Sequence, residues 1–292
     1  MLSDLHNLPS FRNSGFPGLI DWARGRGISF GLERSVRIRN GNLETHRCLL
    51  SFVKISLEDG VSGTSLDATG SEYDFDPRLL FEICRLLRCP DKVLESIARF
   101  QNAARFIHFG FEDSATSTIV KCYLELPPIE PAFGTGRVDS DARIQFFGYK
   151  WNMANSEDAA LTVYRTWLAD DGHTSLQKFL TETPALFQSF AASLLEQVAR
   201  SPQSLAPQDF TLLEVRDEGS PRCSWDLNIY DTGLTIGQLA DSNMLPESVV
   251  DEAQIARWRE SVSSRLVGHV ATGHDRHGTP FLTIYYGGAE VG

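Results

Sequence analysis

The sequence predicts an α/β fold: a ten-stranded antiparallel β-barrel of repeated helix–strand–strand units, with the helices outside and residues 1–292 forming a single domain. Three observations predict it. Strand-like segments come in five hairpin pairs. Helical periodicity falls between those pairs, not within them. The strands alternate, with apolar residues on one face and polar or aromatic residues on the other. Helices placed only between hairpins cover one face of one sheet. Closing that sheet on itself removes its two raw edges.

A short helical piece is expected at about 17–25. ISFGLERSVRI and HRCLLSFVKIS follow as the first strand pair, joined by a turn at Asn40-Gly41-Asn42. Apolar residues then recur at spacings of three and four through PRLLFEICRLLR and DKVLESIARFQNAAR, which Pro90 divides. RFIHFGFE and TSTIVKCYLEL make the second pair. The Pro-rich stretch LPPIEPAFGTGRVDSD leads to the third, ARIQFFGYKWNM and ALTVYRTWL, whose preceding helix is missing or very short. A helix spans roughly 174–200. DFTLLEVR and RCSWDLNIY form the fourth pair. A helix near 248–264 precedes the fifth, RLVGHVATG and PFLTIYYG.

Alternation assigns the faces. Phe30, Leu32, Val36 and Ile38 share one side of the first strand, with Arg34 the misfit, and Glu33, Ser35 and Arg37 share the other. Val120, Cys122 and Leu124 oppose Lys121, Tyr123 and Glu125. Cys223, Trp225, Leu227 and Ile229 oppose Ser224, Asp226, Asn228 and Tyr230, and Leu282 and Ile284 oppose Thr283 and Tyr285. The apolar set meets the helices and the polar set lines the barrel. A lumen carrying Arg, Lys, Tyr and one or two acids suits an anionic ligand. Lys150 belongs to it only if FGYKWNM faces that way.

A net charge of −11 argues against a nucleic acid partner, which needs a basic footprint. No apolar run reaches about 18 residues, so no membrane span is expected. The opening MLSDLHNLPSFRNSG has neither the basic start nor the apolar core of a secretory signal. Five scattered cysteines without a CxxC pair read as reduced thiols of a cytoplasmic protein.

The αββ repeat resembles the ABBA prenyltransferase barrel, and within it the cyanobactin-type peptide prenyltransferases. The segment with Glu33, then Arg37, then Arg47 and the run CLLSF is similar to that family's first strand pair. FPGLIDWA, STIVKCYLEL, TVYRTW and LTIYYGG resemble its other segments. Lys121 and Tyr123 depart from the His and Arg that the family pattern leads one to expect there.

The resemblance implies transfer of a dimethylallyl or geranyl group from an allylic diphosphate to a Tyr, Trp, His or Arg side chain of a ribosomal, macrocyclic peptide. Arg37, Arg47, Lys121 and Lys150 would hold the diphosphate, because prearranged cations act strongly in a shielded barrel. Tyr123, Tyr164, Tyr230 and Tyr285, with Trp151 as a further candidate, would shield the allyl cation. Glu33 would take the acceptor's proton or hydrogen-bond the acceptor. Asp226 would help bind it; two inward acids suit a cationic acceptor, or one of them pairs with a lumen Arg. Mg²⁺ would assist by pairing with the diphosphate, with no metal site on the protein itself. A pocket wall among Thr211, Leu212 and Leu213 would set the prenyl length. The alternatives are a small-molecule indole or phenol prenyltransferase and a non-catalytic peptide-binding barrel.

Other motifs carry less. His269, His274 and His277 in GHVATGHDRHG fit a hairpin better than a zinc site. Gly134 and Gly136 lack the third glycine of a dinucleotide loop. Asp170-Asp171 is not a DDxxD motif, so cationic side chains must carry the diphosphate.

Overall fold

A computed structural model describes residues 19–21, 31–53, 77–104, 106–113, 118–127, 144–167, 172–200, 211–240 and 251–287, with the side chains of 31–32, 45–53, 77–79, 113, 156, 172–173, 240 and 252 left out. The ten expected strands are present. They are β1 (Gly31–Arg39), β2 (Asn42–Val53), β3 (Phe106–Asp113), β4 (Thr118–Glu125), β5 (Ile144–Asn152), β6 (Asn155–Trp167), β7 (Thr211–Asp217), β8 (Cys223–Asn228), β9 (Val267–His274) and β10 (Pro280–Tyr286). Each pairs antiparallel with its sequence neighbours, and β1 pairs with β10 from Arg34↔Tyr286 to Arg39↔Phe281, closing the barrel. Asn40, with φ of 50°, and Gly41, with φ of 74°, make the tight turn between β1 and β2.

The helices are α1 (Pro77–Leu86), α2 (Asp91–Phe100), α3 (Gly172–Glu182), α4 (Gln188–Ala199), α5 (Ile236–Ala240) and α6 (Glu252–Val262). The single helix expected over 174–200 is two. Pro184 has no N–H to donate and disfavours helical backbone at the residue before it, so the chain breaks there. It restarts through a 3₁₀ turn at Ala185–Phe187. Leu19, Ile20 and Asp21 are helical, within the expected first piece; the rest of that piece, and the stretch where a third helix was expected to be missing, lie outside the described residues.

The apolar faces pack outward against these helices in two clusters. One joins Leu80, Ile83, Leu87, Val93 and Ile97 to Ile107, Phe109, Phe111, Val120, Cys122 and Leu124. The other joins Phe179, Phe187, Phe190, Leu194, Leu239, Ile255 and Trp258 to Val36, Ile38, Leu212, Trp225, Leu227, Val270, Leu282 and Ile284. Arg34 is exposed on the outer face, consistent with its place as the misfit.

The same alternation corrects two expectations. Leu212 is fully buried against the helices, so only Leu213 of that pair is available to a lumen wall. Trp151 also faces outward: it is fully buried and its Nε1–H donates to the carbonyl of Leu87 at 2.7 Å. A ring held there cannot shield a cation inside. Trp151→Phe removes this donor and strands a buried carbonyl, which costs about 1–3 kcal/mol. The unfolding free energy from denaturant titration is expected to fall by that amount while affinity for inorganic pyrophosphate is unchanged.

Candidate functional site

The polar groups inside the barrel divide into three levels. At the end where the hairpin turns lie, a cavity of about 280 Å³ is lined by Arg37, Lys121, Lys150 and Arg222 with Glu112, Asp217 and Phe281, and rimmed by Arg39, Asp158, Asp275, Arg276 and His277. Register explains the convergence. Lys121 and Lys150 stand directly opposite on β4 and β5. Arg37 stands opposite Thr283, and its Nε donates to the Thr283 hydroxyl at 3.0 Å. Asp217, at the end of β7, accepts from Thr162 at 2.5 Å, Arg222 at 3.0 Å and Lys150 at 3.3 Å. Lys121 pairs with Glu112. The Arg37 guanidinium lies 4.8 Å from the centre of the Phe281 ring, and that of Arg222 lies 5.9 Å from it.

This cavity is lined by more basic than acidic side chains. Lys150 is 7 % exposed. Burial drives its pKa well below the ordinary lysine value, Arg222 and Lys121 add repulsion, and Asp217 offsets only part of this. Burial works to raise the Asp217 pKa, yet Lys150, Arg222 and Thr162 hold it below the usual carboxylate value. The Arg222 Nε is buried without a hydrogen-bond partner. An incoming polyanion would satisfy that donor and neutralise the crowded cations.

A resident Mg²⁺ does not suit this donor set. The ion wants hard oxygen ligands, whereas Asp217 is committed to three donors and Glu112 to Lys121. No cluster of metal-ligating side chains occurs among the described residues.

Phenols fill the middle. Tyr123 and Tyr164 meet edge to face with ring centres 5.7 Å apart, and Tyr164 meets Phe146 likewise at 5.8 Å. Gly148 makes room for them: a Cβ there would sit 3.0 Å from the Tyr164 ring and 3.1 Å from that of Tyr123. Burial pushes both phenol pKa values up, so both stay neutral. Tyr164 senses the charge of Arg222 and that of Asp226, which places it between the cation cavity and the third level.

That third level is acidic. Glu33 is 7 % exposed and so is Asp226. His269 lies between them, its Nδ1 2.7 Å from Asp226 Oδ1 and its Nε2 3.2 Å from Glu33 Oε2. Its ring stacks on Tyr285 at 3.8 Å and 9°. The Tyr230 hydroxyl donates to Glu33 Oε1 at 2.5 Å. Burial alone would lower the His269 pKa, but Asp226 and Glu33 raise it well above the ordinary value. A Cβ at Gly268 would lie 2.4 Å from the Tyr230 ring and 2.5 Å from Glu33 Oε1, so only glycine lets those groups cross the β9 backbone.

Among the sequence-predicted residues, Arg37, Lys121 and Lys150 share the cation cavity. The FGYKWNM strand does turn Lys150 inward. Tyr123, Tyr164 and Tyr285 occupy the lumen, and Glu33 and Asp226 come together through His269. Arg47 stands opposite Ser35 and Glu112 in the register, and its side chain lies outside the described residues. Tyr230 is not on a strand. It begins a 3₁₀ turn just past β8 and is 46 % exposed, with only its hydroxyl reaching Glu33.

Sequence reasoning missed Arg222 and Asp217, and gave His269 no role in the lumen, weighing it only as part of a hairpin or a zinc site. Asp217 continues the inward series Leu213, Val215, so alternation carried one residue further finds it. Arg222 sits in the turn before β8, where no periodicity applies. His269 was hidden by a bulge. Tyr285 pairs with His269 but Tyr286 with Val267, leaving Gly268 as the extra residue. Strict alternation from the outward Val267 would have put His269 outside.

Polyanion binding should recharge Lys150. Its pKa is depressed in the free protein, and a bound anion raises it again, so protons are taken up between those two values. Calorimetry with inorganic pyrophosphate in buffers of different ionisation enthalpy is expected to show that uptake. Lys150→Met is expected to abolish it.

No protein-family model matches the sequence, and no curated protein matches it. Solved structures do. The 5-dimethylallyltryptophan synthase of Streptomyces coelicolor is similar over 88 % of this chain and 81 % of its own, at 15 % identity and a TM-score of 0.55. The same synthase in complex with DMASPP and Trp gives 0.53 at 14 % identity, covering 88 % of this chain and 78 % of that one. PriB in its binary complex with product diphosphate gives 0.52 at 14 % identity, covering 88 % and 79 %. The ten-stranded antiparallel ring with its helices outside is thus the ABBA prenyltransferase barrel fold.

Proposed function

We propose that this protein transfers a dimethylallyl or geranyl group from an allylic diphosphate to a side chain of a peptide. One observation carries the reading: a single lumen presents, in order, a cation cavity, a layer of neutral phenols and a carboxylate pair. Ionisation of the donor breaks its C1–O bond, and the electron pair leaves with the diphosphate. Arg37, Lys121, Lys150 and Arg222 meet the growing negative charge in a site shielded from water. Arg47 belongs to the same task in this reading. The allyl cation faces Tyr123, Tyr164 and Tyr285, whose rings stabilise it without attacking, by up to about 2 kcal/mol each. The acceptor's electron pair closes the new bond to the allyl carbon, and its proton passes to Glu33 and then to water.

The peptide acceptor has its support at the Glu33 end. Tyr230 is 46 % exposed there, and its hydroxyl meets a carboxylate that a side chain could reach while its backbone stays outside. A cyanobactin-type macrocycle is one such substrate. A free indole or phenol is the second reading, and the related synthase solved with DMASPP and Trp favours it. Mg²⁺, where it takes part, arrives on the diphosphate. No described helix is long and apolar enough to cross a membrane.

Linear and cyclic peptides bearing Tyr, Trp or His, and free indoles and phenols, are to be incubated with the C5 and C10 diphosphates and read by mass spectrometry. A prenylated acceptor is expected; a peptide or a small aromatic as the better substrate separates the two readings. Diphosphate binding without any adduct would mark a non-catalytic barrel. Glu33→Gln is expected to lower kcat by about 10²–10⁴-fold with donor affinity kept.

A further inference from the structure

The acidic end of the lumen contains its own cation. An ionised carboxylate can only accept hydrogen bonds, and both nitrogens of His269 lie against carboxylate oxygens, at 2.7 Å and 3.2 Å. Both can donate only if the ring is an imidazolium, the state in which each contact is a charge-assisted hydrogen bond. The groups facing it are Glu33 from β1, Asp226 from β8, Tyr230 from the following turn and Tyr285 from β10. Tyr230 donates to Glu33, so it adds no negative charge. Two carboxylates and one imidazolium leave a single net negative charge in the cluster.

We propose that His269 is a positioning residue that orients Glu33, and that by filling the gap between the two carboxylates it restricts the acceptor to a neutral N–H or O–H nucleophile. This deepens the transfer reading above and rests on it. The two acids alone would suit a guanidinium. With His269 between them, a cationic acceptor would have to displace a ring held by two charge-assisted hydrogen bonds and a stacked phenol. A neutral indole, phenol or imidazole displaces nothing: it donates to an oxygen of Glu33 and gives up its proton there as the new bond forms. The raised His269 pKa agrees with this charge state.

The test has one arm that needs no catalysis. In protein labelled with ¹⁵N at histidine, both His269 ring nitrogens are expected to carry protons at about pH 8, where an ordinary histidine is neutral. In Asp226→Asn the ring is expected to be neutral at that pH. A neutral His269 in the unaltered protein overturns the proposal. The second arm uses His269→Gln, which keeps an amide donor and loses the charge, with pyrophosphate affinity as the check that it folds. Its kcat is expected to fall at least about tenfold, with acceptor KM nearly unchanged. An unchanged kcat, or an acceptor KM that worsens along with it, would make His269 merely structural. Alkylation of a guanidinium-bearing acceptor by the unaltered protein would overturn the acceptor assignment. If no acceptor of any kind is alkylated, the transfer reading fails, and the ¹⁵N measurement still decides the state of His269.

Discussion

Pairing of β1 with β10 is the constraint on which the rest depends. Until it forms, the polar face of the sheet is solvated, and Lys150, Asp217, Glu33 and His269 are ordinary exposed groups in water. Closure puts them in a space of low polarisability, where a pair of charges a few ångströms apart interacts several times more strongly. It also removes both sheet edges, which an open ten-stranded sheet would leave free to pair with other chains. The outward faces of the same strands supply the stabilising burial, so the lumen can be spent on groups that oppose compactness. Lys150 and the unpartnered Arg222 Nε are such groups. They persist because the two outer apolar clusters hold the strands that carry them.

Charge is sorted along the barrel by strand position. Lys121, Lys150 and Arg37 come from inward positions near the hairpin turns, and Arg222 from a turn itself. Glu33 comes from the opposite end of β1, and His269 follows the bulge at the start of β9. The neutral phenols between these ends keep the cations from collapsing onto the acids. Two glycines permit that spacing: Gly148 admits the rings of Tyr123 and Tyr164, and Gly268 lets Tyr230 and Glu33 approach the backbone. A site with a leaving-group pole and a proton-accepting pole, separated by aromatic faces, follows from sorting charge in this way.

What could be read beforehand was mostly periodic. Val120, Cys122 and Leu124 against Lys121 and Tyr123 show a strand and both of its faces without any knowledge of its neighbours. The turn at Asn40-Gly41 and the break at Pro184 rest on single residues whose backbone preferences are strong, and the first was read correctly while the second was passed over. Glu33 and Arg37 gained meaning only once the alternation of several strands put them inside one enclosure.

The sequence by itself determined the hairpins, the two faces of strands such as β1 and β4 and the presence of inward cations, because pleat and helical periodicity are local properties of a chain. Only the tertiary structure decided which inward groups meet. Glu33 and His269 are 236 positions apart, and their contact depends on ring closure and on one bulged glycine that rotates His269 into the barrel. Asp217 serves Thr162, Lys150 and Arg222 at once because three different elements reach the same level. Such meetings are set by register and shear summed around the whole ring, and no short stretch of residues encodes that sum.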